Sequence, residues 1–412
     1  MASSEQTDYD IIIVGGGMVG TSLALALQPL DLRIAVVEAV ARGAEQQPSF
    51  DDRSTAMSRS TQRMFEAMGL WPDIVATATP IWHIHVSDKG RFGFAHIDAE
   101  EQRVEALGYV VINRVLGQVL QRAMAGAGNV DFLSPARITA VRIGDESATA
   151  TLEEASGSRV LAGRLLVAAD GANSAVRDMI GISARRVDYE QWAVIGNLQP
   201  EQAPADRAFE RFTEDGPIAM LPVADNRAAF VWIQPPGGAR EMLELGDTAF
   251  TERLQVAFGN RLGRFSRVGK RAAYPLALTK ANGLIARRSV VVGNAAHGLH
   301  PVAAQGFNLG LRDVAALCDC IADARSSGRC DPGSASVLES YAEWRKADQA
   351  KVLWFTDGLV NLFSDSRPPV RALRNAAMIG FDLVPGVRRL FAKHTMGLVG
   401  RLPRLSRGVP LE

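Results

Sequence analysis

Three glycines constrain the start of this chain more tightly than any other feature. They form Gly15-x-Gly17-x-x-Gly20, set between an apolar, β-branched run over 9–14 and a helical stretch over 21–27. A second apolar run, 33–37, ends in Glu38. The pattern reads as strand, tight turn, helix, strand, and the nearly continuous apolar runs suit parallel strands buried on both faces. Gly15 permits the turn, Gly17 lets the backbone approach a pyrophosphate, and Gly20 lets helix and strand pack closely. The helix N-terminus offers unpaired N–H groups and a partial positive charge to phosphate. Glu38 ends the second strand, where a carboxylate can accept hydrogen bonds from an adenosine ribose. The reading is a dinucleotide site without a 2′-phosphate; it does not separate FAD from NAD.

Two later stretches repeat the strand-to-loop design. Over 164–177 an apolar strand runs into Asp170-Gly171 and then a helix start. Over 289–313 a strand reaches Gly293-Asn294, a loop carries His297, His300 and Pro301, and a helix begins near Gly306. In an open α/β sheet such loops converge at the carboxyl ends of the strands. Residues 80–99 and 187–275 instead alternate apolar and polar side chains, as in 82–86 and 227–233, with turns expected at 224–226 and 235–238. The fold class expected is α/β. A Rossmann-like nucleotide domain would take 1–79, 100–186 and 276–360. A discontinuous mixed β-sheet substrate domain would take 80–99 and 187–275, and a helical C-terminal region 361–412. A length of 412 residues suits two or three such units.

Charge narrows the partners. Lys plus Arg and Asp plus Glu both number 45, so no overall field favours nucleic acid. The cysteines, Cys318, Cys320 and Cys330, are odd in number and form no C-x-x-C pair, which fits a reducing cytosol. The polar, acidic start and the lack of ~18 consecutive apolar residues predict neither a signal peptide nor a membrane span. No metal-ligand constellation and no nucleophile elbow is readable. Beyond 354 the sequence turns apolar and basic, with Arg371, Arg374, Arg388, Arg389, Lys393, Arg401 and Arg404, and helix breaks are expected at Pro368-Pro369 and Pro385. Two readings stay open: a helical pair packed on the nucleotide domain with a solvated basic face, or a surface for an anionic membrane or a partner.

The three motifs, in this order, resemble the single-component FAD-dependent aromatic hydroxylases of the p-hydroxybenzoate hydroxylase type over roughly 8–360. Within that group, Asp52-Arg53-Ser54-Thr55-Ala56-Met57 and the run from His300-Pro301 through Gln305-Gly306-Phe307-Asn308 to Arg312-Asp313 resemble the ubiquinone-biosynthesis hydroxylases. Gly293-Asn294, where most members carry Gly-Asp, is similar to the branch acting on 2-polyprenyl-6-methoxyphenol. Ala304 stands where the family usually has Gly.

The resemblance implies FAD, O₂ and NAD(P)H or another electron donor as cofactors, and hydroxylation of a polyprenylated phenol through a flavin C4a-hydroperoxide. It implies that Glu38 binds the ribose, that Arg53 and Arg114 approach the pyrophosphate, and that Asn294 meets the ribityl or pyrophosphate region. Asp170-Gly171 is linked to FAD and NAD(P)H use; a purely helix-capping Asp170 is the alternative. The helix after Gln305-Gly306 would aim the N–H groups near Phe307 at the flavin N1–C2=O edge. Asn308 would hydrogen-bond the pyrimidine ring, Pro301 would shape the oxygen side, and Tyr274 would line the substrate side. His297 and His300 are left unassigned as bases. A ubiquinone-biosynthesis complex and peripheral contact with the inner face of the cytoplasmic membrane accompany this reading. Its rivals are another ubiquinone intermediate, a small soluble aromatic, or FAD-dependent reduction of a prenyl chain.

Overall fold

The computed structural model describes residues 7–41, 53–91, 93–298, 305–328, 331–364, 380–381 and 384–411. Two sheets organise it. In the first, the strands run in the order Ile285–Ala286, Ser289–Val291, Gly157–Ala168, Tyr9–Val14, Ile34–Val37, Val130–Leu133. The four interior pairings from Ser289–Val291 to Val130–Leu133 are parallel. In register, Ile11 lies between Leu165 and Ile34. Both faces are covered, which is why these strands read as unbroken apolar runs. Helices Met18–Leu27, Asn113–Ala125 and Gln305–Ser326 pack on Ile11, Ile13 and Val36. The hairpin Arg137–Ile143/Ala148–Glu154 closes the side carrying Ile12, Val14 and Val37.

The second sheet is mostly antiparallel. Its order is His297–Gly298, Ala272–Ala281, Ala184–Pro200, Arg227–Gln234, Ile218–Val223, Arg207–Phe212, His83–Asp88, Phe94–Asp98. Chain from 83–98 and from 184–281 thus meets in one sheet. The turn at 224–226 joins two of its strands, with Asp225 and Asn226 both left-handed (φ 62° and 55°), as a tight hairpin turn requires. A small sheet of Ser54–Ser58, Gly108–Ile112 and Thr79–Ile81 lies against it through Ala56, Val110 and Ile81.

One local expectation is corrected. Residues 235–238 form no turn; Pro235 caps the helix Pro236–Glu244, and the helix Asp247–Phe258 follows. Proline lacks an N–H that the first helical position does not need, so Pro-Pro-Gly-Gly opens a helix as readily as it ends a strand. The helical spacing of Ala239 and Met242, then Phe250, Leu254 and Phe258, carries the apolar stripe that covers the sheet.

The helical C-terminus is present: Ala335–Ser364 and Pro385–Thr395, the latter with its proline in the first turn. Pro368 and Pro369 lie outside the described residues. Cys318 and Cys320 are buried free thiols.

Close approach explains the third glycine of the fingerprint. A Cβ on Gly20 would collide with the Gly15 carbonyl oxygen and press on Ile13. Gly20→Ala is therefore expected to lower stability by at least the ~1–3 kcal/mol of an overpacked core, read as a shift of the urea midpoint at unchanged slope.

Candidate functional site

The fingerprint turn is built from backbone. Gly15 has φ +108°, and a Cβ there would sit 2.5 Å from the Ala169 carbonyl oxygen. Gly17 caps the helix Met18–Leu27 in extended conformation, with no side chain accepting from the first-turn N–H groups. The Glu38 carboxylate accepts the Gly16 N–H at 2.7 Å and the Val40 N–H at 2.8 Å. It thus locks the turn to the end of the second strand, and each oxygen keeps a lone pair for a further donor. Uncapped helix N–H groups beside an acidic strand end fit a dinucleotide, so this chain's residues suit FAD.

The other two strand-end loops meet this turn. Ala169 abuts Gly15, and Gly293 abuts Val19 of the fingerprint helix. Arg177 fastens the loops together, donating to Ala172 O and Ala295 O, both at 3.2 Å. Asp170 accepts from the Ser174 hydroxyl and, at 3.2 Å, from the Val176 N–H, so its carboxylate organises the start of the helix Ala175–Met179. That is the capping alternative; Gly171 beside it takes φ +90° with open space around it. Asn294 is exposed at the tip of the Gly293 turn.

Arg53 and Arg114 come together because the Asn113 N–H donates to Arg53 O at 2.8 Å, placing Arg114 in the first turn of the next helix. The Arg53 guanidinium also lies 4.9 Å from the Tyr274 ring centroid. That contact joins the nucleotide side to the second sheet, where Tyr274 is 39% exposed.

In the helix Gln305–Ser326, Asn308 makes contacts within the protein. Its amide oxygen accepts from Ser58 N–H at 2.8 Å and Thr61 Oγ1 at 2.7 Å, while Nδ2 donates to Ala56 O at 2.9 Å. The side chain clasps the segment that follows Arg53. A short amide that satisfies three polar groups in a buried corner is worth more there than at an open edge. Gln305, also buried, donates to Thr395 O at 3.4 Å. A Cβ on Gly306 would meet open space, and Phe307 is partly buried beside it. Pro301, His300 and Ala304 lie outside the described residues.

His297 serves the interior. Its Nε2 meets Asp313 Oδ2 at 2.6 Å, and both residues are buried. Asp313 also accepts from Gly293 N–H at 3.1 Å, Arg345 Nε at 2.7 Å and Gln349 Nε2 at 3.0 Å. Burial alone would raise this carboxyl; His297 and the Arg345 guanidinium outweigh it and hold it below the ordinary carboxylate range. Arg345 pairs in addition with Asp348, which binds Arg312. Arg345 and Gln349 escaped the sequence reading. The only signal is a pair of polar residues four apart on an otherwise packed helix face, and it means nothing until the partner is known.

Asp313→Asn removes the buried carboxylate that faces both Arg345 and His297 and leaves Arg345 with Asp348 alone. The expected loss is ~3–5 kcal/mol in denaturant unfolding, since breaking a buried pair costs more than the pair contributes. The native Asp313 contribution, a depressed carboxyl, is present in full above the unfolded pKa and is lost progressively as pH falls from there through its depressed folded value, so the gap between variant and native protein should narrow in acid.

Comparison with known proteins agrees with this geometry. The family model described as an FAD binding domain matches residues 8–356. The ubiquinone hydroxylase UbiL of Rhodospirillum rubrum is 37% identical over 405 residues, spanning 98% of this chain and 93% of the relative. The 3-demethoxyubiquinol 3-hydroxylase of Escherichia coli is 33% identical over 392 residues, 94% of this chain and 98% of the relative. The crystal structure of p-nitrophenol 4-monooxygenase PnpA from Pseudomonas putida superimposes with a TM-score of 0.79 over 96% of this chain and 99% of that one. At 20% identity that match speaks for the fold. With the loops, the turn and these likenesses in agreement, the chain belongs to the FAD-binding-domain family, among the FAD-dependent aromatic hydroxylases of the ubiquinone-biosynthesis type.

Proposed function

We propose that this enzyme hydroxylates the ring of a polyprenylated phenol, 2-polyprenyl-6-methoxyphenol, with NAD(P)H as the electron donor. The observation that carries the reading is likeness over nearly the whole chain, substrate sheet included, to hydroxylases named for ubiquinone and demethoxyubiquinol. Bound FAD supplies the chemistry: reduced, it activates O₂ and delivers one oxygen atom to an electron-rich ring.

The chain's own residues bind, orient and exclude water. The Gly15–Gly20 turn and the N–H groups after Gly17 take the pyrophosphate, and Glu38 takes the ribose with the lone pairs left by Gly16 and Val40. Arg53 and Arg114 neutralise phosphate charge, and Asn294 contributes a neutral donor and acceptor beside it. Gly171 and the Gly306–Phe307 end of its helix border the flavin. Tyr274, with Arg53 over its ring, bounds the substrate side.

The prenyl tail gives the C-terminal region its role. Val384, Val387 and Leu390 are 48%, 48% and 66% exposed on or beside the helix Pro385–Thr395, which also carries Arg388, Arg389 and Lys393. An apolar strip ringed by cations suits an anionic bilayer surface. Among the described residues no helix is long and apolar enough to cross a membrane.

Purified holoenzyme given NAD(P)H, O₂ and a short-chain 2-prenyl-6-methoxyphenol should yield a product heavier by one oxygen atom; flavin reoxidation with an unaltered phenol would overturn the substrate assignment. Gly17→Val should purify without the yellow of bound flavin, and a fully loaded variant would displace the pyrophosphate from this turn. Leu390→Glu should retain its flavin yet float less with phosphatidylglycerol vesicles than the native enzyme, by roughly tenfold for the loss of ~1.5 kcal/mol of buried leucine.

A further inference from the structure

The two faces of the second sheet differ along its central strands. On the outer face Phe209, Met220, Phe230 and Trp232 are buried beneath the helices 236–244 and 247–258. On the inner face one row crosses strand after strand in register: Val86, Glu210, Ala219, Val231, Ile195 and Ala272. Every residue of that row keeps partial accessibility, although the strands bearing them are flanked on both sides. Side chains in mid-sheet stay accessible only where nothing is packed on them. Along this row the inner face is therefore uncovered, on the face that also carries Tyr274 with Arg53 over its ring.

Small apolar side chains line that row, with one exception, the carboxylate of Glu210. Among the described residues no ion pair or hydrogen-bond donor is set against it, and burial is the whole cause that pushes its carboxyl up to about 7. His85 and Arg211, its diagonal and sequence neighbours, belong to the outer face, where His85 packs on Phe209. The titratable groups toward the inner side are Tyr274, with Arg53 over its ring, Asp88, two residues along from Val86 on the same strand face, and Arg388, paired with Glu101, and His394 on the helix that packs there through Ala392. An acceptor in an apolar wall without a donor calls for one carried by the ligand.

We propose that Glu210 is the base of the hydroxylation, accepting the phenolic proton of the ring substrate. The inference rests on the aromatic-ring reading given above. The phenol O–H bond breaks, a new O–H bond forms on a Glu210 carboxylate oxygen, and the electron pair left on the phenolic oxygen flows into the ring as it takes up oxygen. The oxygenated carbon then loses its own proton to solvent water to restore aromaticity, the phenolic oxygen recovers its proton from Glu210, and the carboxylate is regenerated. Proton transfer of this kind is worth roughly 10²–10⁴-fold.

The test compares native holoenzyme with Glu210→Gln and Glu210→Asp. In the oxidised enzyme, without turnover, 4-nitrophenol serves as the probe, and its ionised fraction when bound is read by difference absorbance against pH. Native enzyme should ionise the probe with a midpoint that tracks Glu210. Glu210→Gln should bind the probe, retain FAD and lose the transition, while Glu210→Asp keeps it. In turnover with the short-chain methoxyphenol, kcat/KM of native enzyme should fall as pH drops below about 7. Glu210→Gln should be slower by roughly 10²–10⁴-fold with that limb gone. A Gln variant that ionises the probe as the native enzyme does overturns the proposal, whatever the turnover result. If native enzyme ionises the probe through Glu210 yet hydroxylates no prenylated phenol, the substrate assignment fails and the base stands.

Discussion

A carboxylate sealed inside a protein must be answered by charge and hydrogen bonds, and Asp313 is answered from several directions at once. The Gly293 N–H, the imidazole of His297, Arg345 and Gln349 all converge on its two oxygens. Since those groups lie on a strand-end loop and on the helix Ala335–Ser364, while Asp313 lies on the helix Gln305–Ser326, satisfying one ion fixes three elements relative to one another. Gly310 sharpens the fit, for a Cβ there would press within 3.2 Å of Gly293 Cα. The turn bearing Asn294 and the helix bearing Gln305 to Asn308 hold their places because this knot cannot loosen piecemeal.

The second sheet solves the opposite problem. One face must be covered to be stable; the other must keep part of its width uncovered to be useful. Helices 236–244 and 247–258 give the first face an aromatic core of Phe209, Phe230, Phe250 and Phe258. Along the row from Val86 to Ala272 the inner face trades that stabilisation for room, and within the row Glu210 is the one carboxylate.

How much of this is legible in the sequence depends on whether a feature lives in the backbone or in a meeting of distant side chains. Gly15, Gly20 and Glu38 are legible because turn geometry and strand ends are local, and the order of three loop motifs carries the fold class with them. Asn308 stands out within its motif, yet its role as a clasp does not. Its partners Ser58 and Thr61 lie about 250 residues away, and nothing nearby announces them. Pro235 to Gly238 mislead because the same residues serve turns and helix starts. Glu210 is invisible, since alternation along a strand shows that two faces exist without telling which of them is filled.

Gln305 donates to the carbonyl of Thr395, the last residue of the helix that exposes Leu390. Leu390 and Thr395 are five residues apart, about 7.5 Å along a helix axis. A bilayer seated on that helix would thus lie little more than a helical turn from the residue beside Gly306. An enzyme so placed meets its lipid by two-dimensional search: its rate follows the mole fraction of phenol in the membrane rather than the bulk concentration, and diluting the phenol with inert lipid slows it at constant total amount.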